Sequence, residues 1–252
     1  MRPRAPQATV LVLCLVAAGC GRASGEPADA LAVPPPTASA PSPPASGPSA
    51  AASPSRPAAA PEARVARPLG RPGKWRITTY YTALQSLYRG KPKAVRGCTR
   101  FHCSHGKEPL GSYPADFLDV IQTEGSGRIT AGPQRGRYLN WSSSVGFWLD
   151  DTTRDSAGRP LRAWVSAAAD RSVLERGARF AITGCGREGN GRAVEAGVCA
   201  RFRKARWTVT DLFRPGYGGE DHADVYIGEE SGTRLADSPL YTTLNGATLG
   251  TA

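Results

Sequence analysis

The 252-residue chain carries 32 Lys and Arg against 21 Asp and Glu, a formal net charge of +11. A surface of that sign selects polyanions as partners: nucleic acid, anionic lipid, or the acidic polymers of a cell wall. All five Trp fall from Trp75 onward and 13 of the 22 prolines fall between residues 21 and 72, so a packed core is excluded before residue 73. Residues 73–252 are long enough to form one.

At the N-terminus, Arg2 and Arg4 form a short basic region, and Thr9 to Ala18 is an uncharged, largely apolar stretch. It is too short to span a bilayer and reads as a cleavable signal. It ends in Val16-Ala17-Ala18-Gly19-Cys20. Small residues before a cysteine at this place resemble the bacterial lipobox, which implies cleavage after residue 19 and lipidation of Cys20. A plain secretory signal with an incidental cysteine is the alternative. Gly21 in place of Asp points, by the same resemblance, to the outer membrane, facing the periplasm. The chain thus divides into a signal peptide (1–19), a lipidated cysteine with a disordered Pro/Ala/Ser linker (20–72), and one domain (73–252). The linker has no aromatic residue and cannot bury enough apolar surface to offset chain entropy. Its reach lies between ~40 Å as a coil and ~160 Å extended. Removing Arg2 and Arg4 leaves 30 basic against 21 acidic residues, or +9, and an envelope address makes nucleic acid the poorest of the candidate polyanions.

Within the domain, strands are expected at Trp75–Thr82, Phe117–Glu124, Arg137–Asp150, Leu161–Ala168, Ala178–Thr183, Val198–Thr210 and Asp224–Gly228. Each is rich in β-branched and aromatic residues, and Gly, Pro, Ser and Asn clusters separate them. No long segment sustains a helical period. Many short strands with little helix indicate a mainly β fold, a small barrel or sandwich. Four cysteines lie in the domain: Cys98, Cys103, Cys185 and Cys199. An even number in an oxidising compartment suggests two disulfides among three possible pairings. The local pairs Cys98–Cys103 and Cys185–Cys199 are simplest, the second stapling the base of a glycine-rich hairpin from Gly184 to Gly197. A rival reading of the first pair joins it with His102 and His105 as zinc ligands, although zinc usually draws its four ligands from separated elements.

Three aspartates stand at strand ends: Asp170, Asp211 and Asp224. Two carboxylates that share a cleft resist ionising together, which suits one of them to general-acid work at neutral pH. A turn-capping role is the plainer account of any single one. Asp211 and Asp224 flank a polar loop containing Gly218 and Gly219, glycine-rich enough to line a sugar groove.

These segments, taken in order, resemble a family. Val165 to Phe180 around Asp170, then Asp211, then Ala223-Asp224-Val225-Tyr226 follow the order of the three-aspartate (3D) domain. That domain is a double-psi β-barrel found in membrane-bound lytic transglycosylase A and its relatives, which cleave peptidoglycan. Ile77 to Thr82, with Tyr80 and Tyr81, resembles the family's opening strand. Val120 to Ile129, with Gly125, Ser126 and Gly127, resembles its Gln-Gly-Ser-Gly-Arg strand. Two departures stand out. Asp211 and Asp224 are thirteen positions apart where the family has eleven, and the family's Ala-Ile-Lys-Gly run is absent, with Gly218-Gly219 in a shifted register.

The resemblance implies a double-psi barrel that binds peptidoglycan glycan strands and acts as a monomer without cofactor or metal. It assigns Asp224 as catalytic acid and base, Asp211 as the charge that stabilises an oxocarbenium-like sugar, and Asp170 as structural. Tyr80, Tyr81, Gly125, Ser126, Gly127, Gly218 and Gly219 are then substrate-binding, and Trp141 is a further candidate for stacking on sugar. The altered loop keeps open a second reading, a wall-binding lipoprotein that grips glycan without cutting it. A zinc-dependent envelope protein is the third.

Overall fold

The computed structural model describes residues 66–252 apart from 156, 214, 215 and 217. The signal peptide, Cys20 and most of the linker lie outside the described residues. In chain order the elements are β1 (Pro68–Leu69), β2 (Trp75–Leu84), β3 (Pro92–Gly97), β4 (Glu108–Pro114), α1 (Ala115–Glu124) and β5 (Ser126–Arg128). There follow β6 (Tyr138–Ser142), β7 (Gly146–Asp150), β8 (Ser166–Ala169), β9 (Arg179–Gly184), α2 (Ala196–Lys204), β10 (Trp207–Leu212), β11 (His222–Glu229) and β12 (Leu244–Thr251).

Six strands close into a barrel in the order β2, β12, β9, β10, β8, β11 and back to β2. Two pairs in this ring are parallel, β2 with β11 and β8 with β10, and the antiparallel β8–β11 pair joins them. This is the double-psi arrangement. Inside it, Trp75, Ile77, Phe180, Trp207, Val209, Val225, Leu244 and Leu249 are fully buried, because alternate residues of each strand point to one face. At its C-terminal end β2 takes a further parallel partner, β5, which leads into the antiparallel run β5–β6–β7. The β3–β4 hairpin forms a separate two-stranded sheet.

Two expected strands are helices. Phe117–Glu124 lies within α1. Its β-branched residues favour a strand, but Phe117, Leu118, Ile121 and Glu124 fall on one buried helical face. Pro114 precedes the helix, and Gly125, at φ 94°, ends it by donating its N–H to the Ile121 carbonyl, the usual left-handed glycine stop. Val198–Thr210 divides into α2 and β10. Val198 and Phe202, four apart, bury one face of α2, while Arg201, Arg203 and Lys204 sit in its last turn, where cations favour the helix dipole. The Arg137–Asp150 segment is a hairpin, β6 and β7, and the Leu161–Ala168 strand contracts to β8 after a turn at Trp164 with φ 60°. The β1 strand, read as linker, pairs with β12, so ordered chain begins upstream of residue 73.

The expected disulfides Cys98–Cys103 and Cys185–Cys199 are both formed, with Cα atoms 5.7 and 5.8 Å apart. The Cys98 and Cys103 sulfurs are bonded to each other and are not zinc ligands. The segment between Cys185 and Cys199 turns back on itself at one antiparallel bridge, Arg187–Ala193, but its second arm ends in a helix and not in the expected strand. The Cys185–Cys199 disulfide ties the residue after β9 to the first turn and a half of α2, fixing that helix against the barrel wall. Closing a loop of this length contributes about 2–4 kcal/mol. Replacing Cys185 and Cys199 together by Ser should lower the unfolding free energy by that amount in urea titrations. A loss below ~0.5 kcal/mol would show that Val198 and Phe202 hold α2 unaided.

Candidate functional site

One strand of small residues creates the main cleft. β8 reads Ser166-Ala-Ala-Ala169 and is buried throughout. Ala168 pairs with Asp211 of β10 on one side and with Asp224 of β11 on the other. Cross-strand partners face the same way, so both aspartates rise on either side of a methyl group. Two strand spacings put their Cα atoms about 10 Å apart. A bulge between Val209 and Asp211 brings Asp211 into this register. The hollow above Ala168, about 680 Å³, is lined by Asp211, Asp224, Tyr80, Glu124, Trp141 and Phe213 among others. It adjoins a smaller cavity of about 240 Å³, reaching Ser126, Trp148 and Arg154, with Tyr80, Glu124, Trp141 and Asp211 common to both.

Two oxygens in this cleft are buried without a hydrogen-bond partner among the described residues: the Tyr80 hydroxyl and Asp224 Oδ1. Such atoms are rare in folded proteins and cost free energy unless something meets them. Burial pushes the Tyr80 hydroxyl well above the usual phenol range, and the charges of Asp211 and Asp224 add to this. Tyr80 therefore stays a neutral donor at any ordinary pH. Asp224 Oδ1 lies 3.0 Å from His222 Nε2. His222 is 8% exposed and stacks on Phe213 with ring centroids 5.1 Å apart. Its Nδ1 faces the Gly218 carbonyl at 2.7 Å and so carries a hydrogen, while Thr78 Oγ1 reaches Nε2 at 3.1 Å. The imidazole is thereby fixed beside the carboxyl rather than waving in a loop.

Glu124 is the cleft residue that sequence reasoning missed. It closes α1, and the strand reading of that segment hid it. Its Oε2 accepts from the Tyr81 backbone N–H at 3.2 Å and its Oε1 from the Tyr241 hydroxyl at 2.6 Å. Burial pushes its carboxyl up to about 7. The two hydrogen bonds oppose this, and the charges of Asp224 and Glu230 add to it. A polar residue on the buried face of an otherwise apolar helix is the signal that could have found it.

The other sequence candidates divide. Gly125 and Trp141 line the main cleft, and Ser126 lines the adjoining cavity. Ser126 shares a 2.8 Å hydrogen bond with Thr82. Tyr81 is a core residue, 2% exposed, its ring edge-on to Tyr241. Neighbours in a strand face opposite ways, so Tyr80 and Tyr81 cannot both reach sugar. Gly127 packs where a Cβ would strike Phe117 and Ile121, a packing position rather than a binding one. Gly218 leaves room for the Phe213 ring, and Gly219 supplies a positive φ in the same loop. Neither lines the cleft.

Asp170 also lies outside the cleft lining. Its Oδ1 accepts from the Ser172 N–H and hydroxyl, at 2.9 and 2.7 Å, and its Oδ2 from the Gly216 N–H at 3.1 Å. It joins the turn after β8 to the loop between β10 and β11. The Ser172 hydroxyl, with these N–H groups, holds its carboxyl below the usual carboxylate range. A depressed folded value stabilises above the unfolded value and is lost as pH falls through the folded one. Asp170→Asn should therefore lower the melting temperature at pH 7, and the gap to wild type should close as the pH of the scans falls below the usual carboxylate range. A gap constant across pH would refute the assignment.

No family model and no curated protein matches the chain. Solved structures similar to it include Escherichia coli MltA with bound chitohexaose, at TM-score 0.49 and 13% identity, covering 71% of each chain. A membrane-bound lytic murein transglycosylase from Agrobacterium tumefaciens follows at TM-score 0.44 and 11% identity, covering 69% of this chain and 72% of that one. A further Escherichia coli MltA structure, described as a unique lytic transglycosylase fold, gives 0.42 and 15%, with 71% and 72% covered.

Proposed function

We propose that the cleft cleaves peptidoglycan glycan strands as a lytic transglycosylase. The observation that carries the reading is Asp224. Its buried Oδ1, which makes no hydrogen bond among the described residues and has His222 Nε2 at 3.0 Å, lines a cleft of about 680 Å³, and a second carboxyl, Asp211, stands across Ala168. The order of the three aspartates, which resembles the 3D domain, supports it independently.

In this reading Asp224 protonates the oxygen between N-acetylmuramic acid and N-acetylglucosamine. The C1–O bond breaks, and an oxocarbenium-like sugar develops near Asp211, whose negative charge favours it. The muramic 6-hydroxyl attacks C1 and gives its proton to Asp224, which regenerates the acid and leaves a 1,6-anhydro sugar. No external water is consumed, and no carboxylate attacks the sugar, unlike the two-carboxylate glycosidases. Tyr80 donates to the substrate through its unpartnered hydroxyl, and Trp141 offers a face to a sugar ring.

One contact favours the alternative, a wall-binding module without catalysis. His222 Nε2 lies 3.0 Å from Asp224 Oδ1, so the carboxyl already has a side-chain neighbour at the oxygen that would have to reach the glycosidic bond. Purified sacculi separate the two. Wild type should release anhydro-muropeptides, detected by mass spectrometry, and Asp224→Asn should lose at least ~10²-fold, with a smaller loss in Asp211→Asn. Sacculi bound without product would establish the binding module, and release at the wild-type rate by Asp224→Asn would falsify the acid.

The envelope location belongs to the same proposal: Cys20 carries the lipid and the linker carries the domain towards the wall. Several acyl chains on one residue give firm anchoring where one does not. Cys20→Ala should abolish labelling by radioactive palmitate and leave the chain in the soluble fraction. Undiminished labelling would sink the lipobox reading.

A further inference from the structure

Glu124 stands where a charge is costly on three counts. It is 9% exposed. It ends a helix, where the partial negative charge of the last carbonyls opposes an anion. Asp224 and Glu230 lie near enough to act on its charge. Its contacts do not require a carboxylate, since a neutral amide could also accept from the Tyr81 N–H and pair with the Tyr241 hydroxyl. A carboxylate offers about four acceptor positions over its two oxygens, and those two donors take one on each. Glu124 lines both the main cleft and the cavity beside it, so the remaining positions serve whatever lies along the two.

We propose that Glu124 is a sugar-binding carboxylate, accepting hydrogen bonds from hydroxyl or acetamido N–H groups of a bound glycan, so that affinity rises with pH. The proposal rests on the reading of the cleft as a glycan site and is independent of whether the glycan is cut. Charge-assisted hydrogen bonds are about twice as strong as neutral ones, which makes the ionised form the binding form. The groups that face it are Asp224 of β11, Glu230 beyond β11, Tyr81 of β2 and Tyr241 of the segment before β12. With its carboxyl pushed up to about 7, Glu124 is mostly protonated at pH 6 and mostly ionised at pH 8.

The test is calorimetric binding of a β-1,4-linked N-acetylglucosamine hexamer to the full-length chain between pH 6 and pH 8. Since apparent affinity scales with the binding-competent fraction, the wild-type Kd should fall about tenfold over this range. Glu124→Gln keeps the clamp on Tyr81 and Tyr241 and should bind at all pH values as wild type does at pH 6. Tyr241→Phe removes a donor that favours the charged form, so its midpoint should move to higher pH. This second variant leaves Glu124 in place and answers the question should Glu124→Gln unfold. A wild-type Kd that does not change with pH, no binding of the hexamer, or wild-type affinity in Glu124→Gln at pH 8 overturns the proposal. Binding with the expected pH dependence but no anhydro product from sacculi overturns the lytic reading alone.

Discussion

β2 is shared by three partners, and the architecture follows from that sharing. Along ten residues it pairs with β12 at its start, β11 through its middle and β5 at its end. Closing the barrel and launching the β5–β7 extension are thus the work of one strand. Its inward residues Trp75, Ile77 and Ala83 must fill the core while its other face presents Thr78, Tyr80 and Thr82. Glu230 secures the far end. Buried at 2% exposure, it accepts from the Leu84 N–H at 2.8 Å, the Leu235 N–H at 2.9 Å and the Tyr88 hydroxyl. That carboxylate holds β2 to the turn beyond β11, so neither strand can slide past the other without stranding a buried charge.

The cleft is the other product of this pairing. β11 holds Asp224 beside β2, and β8 holds Asp211 and Asp224 apart by its own width. Because β8 is built from Ser and Ala, the volume a larger side chain would occupy is left open as the cleft. Polar groups that a core would normally satisfy, Tyr80 and Asp224, face that volume instead. Stability and ligand recognition compete at such positions, and the surrounding barrel is dense enough to tolerate the deficit.

The sequence made some of this legible for definable reasons. β2, β9 and β11 are rich in β-branched and aromatic residues, and that preference survives into the fold because each has barrel partners on both sides. Both cysteine pairs were legible because each closes one short loop. α1 and α2 were not. Phe117, Val120 and Ile121, or Val198 and Phe202, satisfy strand propensity in isolation, and only packing against β2 or β9 selects the helix. β12 escaped notice because Leu244-Asn-Gly-Ala-Thr-Leu-Gly-Thr251 is poor in strand formers. Its four buried residues close a barrel whose other strands supply the propensity. Asp211 and Asp224 came to notice at strand ends flanking one glycine-rich loop, and then through their order in a family-like series, whereas their meeting across Ala168 is a matter of register that spacing cannot give. Tyr81 was misplaced by ignoring the alternation that carries Tyr80 to the cleft, and Glu124 was lost with its helix.

The β1–β12 pairing has a mechanical meaning. A pull on the chain upstream of residue 66 reaches β1 first, where the Thr251 N–H bonds the Arg67 carbonyl at 2.8 Å and the Trp75 indole N–H bonds the Leu69 carbonyl at 2.8 Å. These few bonds lie at the edge of the sheet. The buried Trp75 ring then resists, and only beyond it does load fall on the strand that closes the barrel. The two-residue strand therefore stands between the upstream chain and the barrel-closing strand β2. Losing its pairing with β12 would leave untouched the β8 register that sets Asp211 against Asp224.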